Sequence, residues 1–156
     1  MYVEDAVNRI IDAGRDASKE FTIDRCIEWI NNVTQQVTAL LISNRFPSIT
    51  KTVDLKNGDS LPANYMKSAG TYPIRITDGH IELLDNLKTV RFRYFASPAN
   101  VVKTSDKMPY EHDAINEIIV RGAIVLALNE NRANISQDAQ LLTALQEAIA
   151  GGMIQQ

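Results

Sequence analysis

The chain has 156 residues, 45% hydrophobic and 22% charged, a length that fits one ordinary domain able to fold without covalent staples. Sixteen Lys and Arg against nineteen Asp and Glu leave −3 at pH 7, so the whole chain lacks the basic excess of a protein that grips nucleic-acid phosphates. The single cysteine, Cys26, excludes an intrachain disulfide and points to a reducing compartment, the cytoplasm of some cell, as the place of synthesis.

Val3, Val7, Ile10, Ile11 and Gly14 recur at helical spacing, which predicts a first helix over about residues 2 to 18. Thr22 follows as an N-cap, with Phe21 placed to staple onto Cys26. From there Ile23, Cys26, Ile27, Ile30, Val33, Val37, Leu40 and Leu41 run three and four apart until Phe46-Pro47, predicting a second helix roughly 33 Å long.

After Pro47 the period changes to two. Ile49, Lys51, Val53 and Leu55 read as a strand closed by Asn57-Gly58, and Leu61-Pro62-Ala63-Asn64-Tyr65 reads as irregular. Three more strands are expected over 72–77, 80–84 and 89–95, joined by turns at Asp78-Gly79 and Asp85-Asn86. In the last of them Val90, Phe92 and Tyr94 alternate with Thr89, Arg91 and Arg93. Pro109 opens a third, most deeply buried helix through Ile115, Ile118, Ile119, Gly122, Ala123 and Leu126. Ser136 caps a fourth that carries Leu141, Leu142, Leu145, Ala148 and Ile149, with Gly151-Gly152 as its stop. The expected class is α+β and mainly helical, ααββββαα. It is read as a single domain over 1–156, with an antiparallel meander inserted at about 48–97 and a short C-terminal tail at 151–156.

Catalytic chemistry is poorly represented. His80 sits beside a turn glycine, His112 lies between Glu111 and Asp113 whose side chains diverge on a helix, and Cys26 lies on an apolar stripe. Glu82 and Asp85 bracket a turn, with nothing near them to raise one carboxyl's pKa. There is no GxGxxG, Walker loop, HExxH, paired CxxC or GxSxG. The reading is therefore of a protein that is not an enzyme, with no catalytic residues, cofactor or metal. The N-terminal residues lack a signal-peptide pattern, so no export is expected, and no apolar run approaches the ~18 residues of a membrane span. Arg91-Phe92-Arg93-Tyr94-Phe95 mixes basic and aromatic residues. With nearby Lys88 it supports an alternative reading as a small nucleic-acid-binding or regulatory module. Alternation, however, separates the arginines from the rings that would stack on bases.

Four phrases in this order carry a family likeness: Thr22-Ile23-Asp24-Arg25-Cys26-Ile27-Glu28-Trp29-Ile30-Asn31, Leu61-Pro62-Ala63-Asn64-Tyr65, Arg93-Tyr94-Phe95-Ala96-Ser97-Pro98 and Met108-Pro109-Tyr110. Set around an inserted sheet, they make the chain resemble the head-tail connector proteins of tailed bacteriophages, also called neck adaptor or head-completion proteins. The resemblance implies a structural virion protein made in the bacterial cytoplasm and placed in the neck, at the head-tail interface. It would form a homo-oligomeric ring of about twelve copies, a dodecamer, under the portal protein. The ring extends the DNA channel, lets DNA pass through its lumen without specific binding, and carries the next neck or tail protein.

On that likeness the exposed strand edge near Ile49 to Leu55 is expected to pair between subunits, with Thr50, Thr52, Asp54, Arg91 and Arg93 at the subunit interface. The C-terminal residues Gly151, Gly152, Met153, Ile154, Gln155 and Gln156 are expected to reach the portal.

Overall fold

A computed structural model describes residues 1–129 and 139–154. The chain divides into two compact units, one from Met1–Asn44 with Pro98–Gln156 and one from Arg45–Ser97.

The first unit is helical: α1 (Val3–Asp16), α2 (Ile23–Ser43), α3 (Asp113–Asn129) and α4 (Ala139–Ile154). Thr22 caps α2 as expected, its Oγ1 accepting the Arg25 N–H at 3.2 Å. Phe21 meets Trp29 edge-on at 4.9 Å between ring centres, and its ring also lies so close to Gly14 that a Cβ there would come within 2.6 Å of it. α3 packs against all three other helices and buries Ile115, Ile118, Ile119, Val120, Ala123 and Ala127.

It starts at Asp113 rather than at Pro109 because Asn116, itself 1% exposed, occupies both backbone groups of Tyr110. The Asn116 Oδ1 accepts the Tyr110 N–H at 3.1 Å while its Nδ2 donates to the Tyr110 carbonyl at 2.6 Å. Asn31 grips Val101 in the same two-bond manner, both at 2.9 Å. Between these grips the N-terminus of α1 donates the Val3 N–H to the Asp106 carbonyl and the Glu4 N–H to the Thr104 carbonyl, which satisfies two donors that a helix start leaves without intrahelical partners. The expected stop at Gly151-Gly152 is corrected, since α4 continues to Ile154. The expected cap Ser136 and the last two residues, Gln155 and Gln156, lie outside the described residues.

The second unit opens with a 3-10 turn over Pro47–Ile49 and holds β1 (Thr50–Lys56), β2 (Tyr65–Ser68), β3 (Ile74–Thr77), β4 (His80–Leu83) and β5 (Thr89–Ala96). The layout of helix pair, antiparallel insert and helix pair is the one expected; the strand count and order differ. β2 forms where an irregular segment was read. β5 lies between β1 and β2 in a three-stranded antiparallel sheet, and β3 pairs with β4 as a separate hairpin, so the strands are not a simple meander. The Asp78-Gly79 turn has both residues at positive φ, +52° and +76°, the geometry a two-residue hairpin requires.

The hairpin residues Ile74, Ile81 and Leu83 pack with Leu55, Phe92, Tyr94 and Ala96. Tyr72 and Tyr65 bring their rings to 5.0 and 6.0 Å from Phe92. This aromatic layer is the core of the unit, and it takes the face of β5 that alternation assigned to Val90, Phe92 and Tyr94.

Candidate functional site

The five residues expected at an interface lie together. β1 pairs with β5 in the register Thr50↔Phe95, Thr52↔Arg93, Asp54↔Arg91 and Lys56↔Thr89. Paired residues share a face, so Thr50, Thr52, Asp54, Arg91 and Arg93 stand on one side of the sheet, opposite the aromatic layer. Lys67 of β2 is in register with Phe95 and joins that side. Thr52, Asp54, Lys56, Lys67, Thr89, Arg91 and Arg93 are exposed, whereas Phe95 at the far end is buried. Arg93 Nε donates to Thr50 Oγ1 at 3.0 Å.

The backbone of β1 adds a second feature. Ala69 N–H donates to the Arg93 carbonyl at 2.9 Å and the Arg93 N–H donates to Tyr72 Oη at 3.0 Å, so both backbone groups of Arg93 turn away from β1. Its neighbour Thr52 therefore turns its own N–H and C=O outward, and Asp54, two residues on, does the same. The row is closed at both ends, by the Thr50 N–H on the Pro47 carbonyl and by the Lys56 N–H on Asp59 Oδ2 at 2.7 Å. Between them the backbone groups of Thr52 and Asp54 have no partner among the described residues.

The other candidates are dispersed. Cys26 is buried on α2, where burial pushes its thiol pKa up, away from reactivity. His112 ends the segment before α3, its carbonyl accepting the Ile115 and Asn116 N–H groups. His80 Nδ1 lies 3.3 Å from Ser60 Oγ, a contact the sequence reading missed because the two are joined only by the bridge between residues 60 and 80. Both are exposed at the mouth of the Asp78-Gly79 turn. No cluster of three metal-ligating side chains occurs among the described residues. A hollow of about 440 Å³ on α2 is lined by Asp24, Ile27, Glu28, Asn31, Asn32 and Gln35, two carboxylates among amides, with no histidine, cysteine, serine or lysine in the lining. Gly151 is exposed on the last turn of α4.

The phrases that carry the family likeness do structural work here. Asn64 Oδ1 accepts from Tyr94 Oη at 2.9 Å and its carbonyl accepts the Ser97 N–H, so the second and third phrases bind each other. Tyr110, from the fourth, is the residue Asn116 clamps, and its hydroxyl meets Thr38. Comparison of the chain with protein-family models finds no match, and no curated protein matches it.

Proposed function

We propose that this chain is a structural protein of the tailed-phage neck, a ring-forming adaptor that sits below the portal, extends the DNA channel and joins head to tail. The single observation that carries the reading is the open run of backbone groups on β1. A strand edge that is closed at both ends and unfilled in the middle is a place for another chain to add a strand. In a ring of identical subunits that chain is the neighbouring copy, with Thr50, Thr52 and Asp54 at the joint. The order of the four family-like phrases around an inserted sheet supports the same reading. The C-terminal residues from Gly151, itself exposed at the end of α4, are the segment assigned to the portal.

The test is quantitative peptide mass spectrometry of purified particles from the source, comparing this chain with the portal subunit. A near-equal ratio is expected of a stoichiometric neck component, and absence of the chain from infectious particles sinks the reading. Deleting residues 151–156 should weaken attachment to the portal while the helical circular dichroism of the free protein persists. Unchanged attachment removes the C-terminal assignment alone.

A further inference from the structure

The net charge of −3 is a sum over two unlike parts. The Arg45–Ser97 unit has eight Lys and Arg against five Asp and Glu, or +3, and the rest of the chain has eight against fourteen, or −6. Ion pairing within the sheet unit is sparse among the described residues: Arg75 reaches Glu82 at 3.6 Å, whereas the charged side-chain ends of Lys56, Lys67 and Arg91 meet no carboxylate. These three and Arg93 project from three different strands onto the one face described above, with Asp54 as the only acid in its register.

We propose that this face, Lys56, Lys67, Arg91 and Arg93 with the Thr52 and Thr89 hydroxyls, binds the phosphate backbone of duplex DNA without reading its sequence. Three observations select that ligand. Arg91 and Arg93 are two residues apart on one strand, about 6.8 Å by strand geometry, on the scale that separates successive phosphates along a nucleic-acid strand. Arginine, lysine and threonine are the side chains that contact phosphate oxygens.

The exposed part of the face offers no aromatic or aliphatic anchor of the kind that centres a protein interface, since Phe95 is buried and the other rings lie on the opposite side. That same separation removes base stacking, and with it sequence preference. Arg91 and Arg93 are thereby assigned to DNA, and the β1 edge alone to a neighbouring copy. The inference stands apart from the neck reading, because it concerns what the isolated protein binds.

The probe is a fluorescein-labelled random-sequence duplex of about 30 base pairs, followed by anisotropy across a salt series. Binding is expected in the micromolar range at low salt, with a slope of log K on log salt near −3, the value for three to four phosphate contacts. The double variant Arg91→Ala/Arg93→Ala should weaken binding about tenfold or more and flatten the slope by about two. Lys56→Glu/Lys67→Glu, which touches no hydrogen bond of the sheet, should do the same if the first variant proves misfolded by circular dichroism. Lys51→Ala/Arg75→Ala, on other surfaces, should leave both quantities unchanged. No binding at low salt, face variants that bind like the parent, or equal loss in the Lys51/Arg75 variant would each overturn the proposal. Displacement of the duplex by polyglutamate at equal charge concentration, as effective as by unlabelled DNA, would replace it with an acidic protein surface as the ligand.

Discussion

The two units of this chain are built by different means. The helical unit closes over aliphatic side chains such as Ile10, Ile30, Leu41, Ile115 and Ile119, all fully buried, and pins its irregular segment with amide side chains. The sheet unit closes over rings, with Phe92 touching Tyr65, Tyr72 and Tyr94. Their surfaces differ as much as their interiors, −6 against +3. A moving polyanion would be repelled by one and held by the other. The net charge of a chain thus describes neither of its surfaces once the charges are segregated along the sequence.

Substitutions can break or sharpen this contrast. The largest effect is expected from Phe92→Ala, which empties the centre of the aromatic layer and should cost about 3–5 kcal/mol. Trp29, the single tryptophan, belongs to the helical unit, so the loss should appear in the tyrosine near-UV circular dichroism while the Trp29 emission transition in urea holds its midpoint. A Trp29 midpoint shifted by the full amount would mean that the two interiors act as one. Asn116→Ala is the converse. It strips both partners from the backbone of Tyr110 and should cost about 2–3 kcal/mol, read this time by Trp29 emission. Thr22→Ala, which removes the cap of α2, should lower the same transition by about 1 kcal/mol.

The smallest effects are those of pH, and they fall in the helical unit. The hydrogen bond from Asn116, followed by the N-terminal ammonium, holds the Asp113 carboxyl below the usual range, and the Val102 and Lys103 N–H groups do so for Asp106. A carboxyl that releases its proton more readily when folded stabilises the fold above the ordinary carboxylate range and loses that contribution as pH falls through the lowered value. The acid limb of a Trp29 titration should therefore be shallower in Asp113→Asn. At the other extreme, burial pushes the Tyr110 hydroxyl up to about 12 against the opposing pull of its Thr38 bond. Its contribution is complete below pH 10 and is lost as pH rises toward 12, so Tyr110→Phe should remove an ionisation near pH 12 from an absorbance titration.

Local signals in the sequence were sufficient for the local features. The three-and-four spacing of α2, its Thr22 cap, the alternation of β5 and the paired positive-φ residues at Asp78-Gly79 were all legible. Partners distant in the chain were not. β2 escaped because it is a four-residue edge strand with a bulge between Tyr65 and Lys67, which erases the period of two. The central place of β5 depends on pairing with residues some forty positions earlier, as Arg93 does with Thr52, and no local period encodes that.

The start of α3 moved because of one buried amide, and α4 passed Gly151-Gly152 because glycine lowers helix propensity without forbidding a helix. Of the site, alternation placed Arg91 and Arg93 correctly on one face, while Lys67 and the outward backbone of Thr52 and Asp54 required the strand order. The charge segregation was written in the sequence all along. It became visible only when the boundaries at 44/45 and 97/98 divided the sum.

The segment between Pro98 and His112 has no helix or strand of its own, yet Asn31 grips it at Val101, Asn116 grips it at Tyr110, and the first turn of α1 donates to it in between. It has the composition of a loop and the bonding of a framework element. Engineering should treat it accordingly: its amides at Val101 and Tyr110 will exchange with solvent as slowly as those of the helices, and an affinity tag spliced into it will abolish folding. At the exposed hairpin tip Asp78-Gly79, by contrast, a foreign peptide should cost only the positive-φ turn and the Leu61 N–H bond to the Gly79 carbonyl, a local loss rather than a global one.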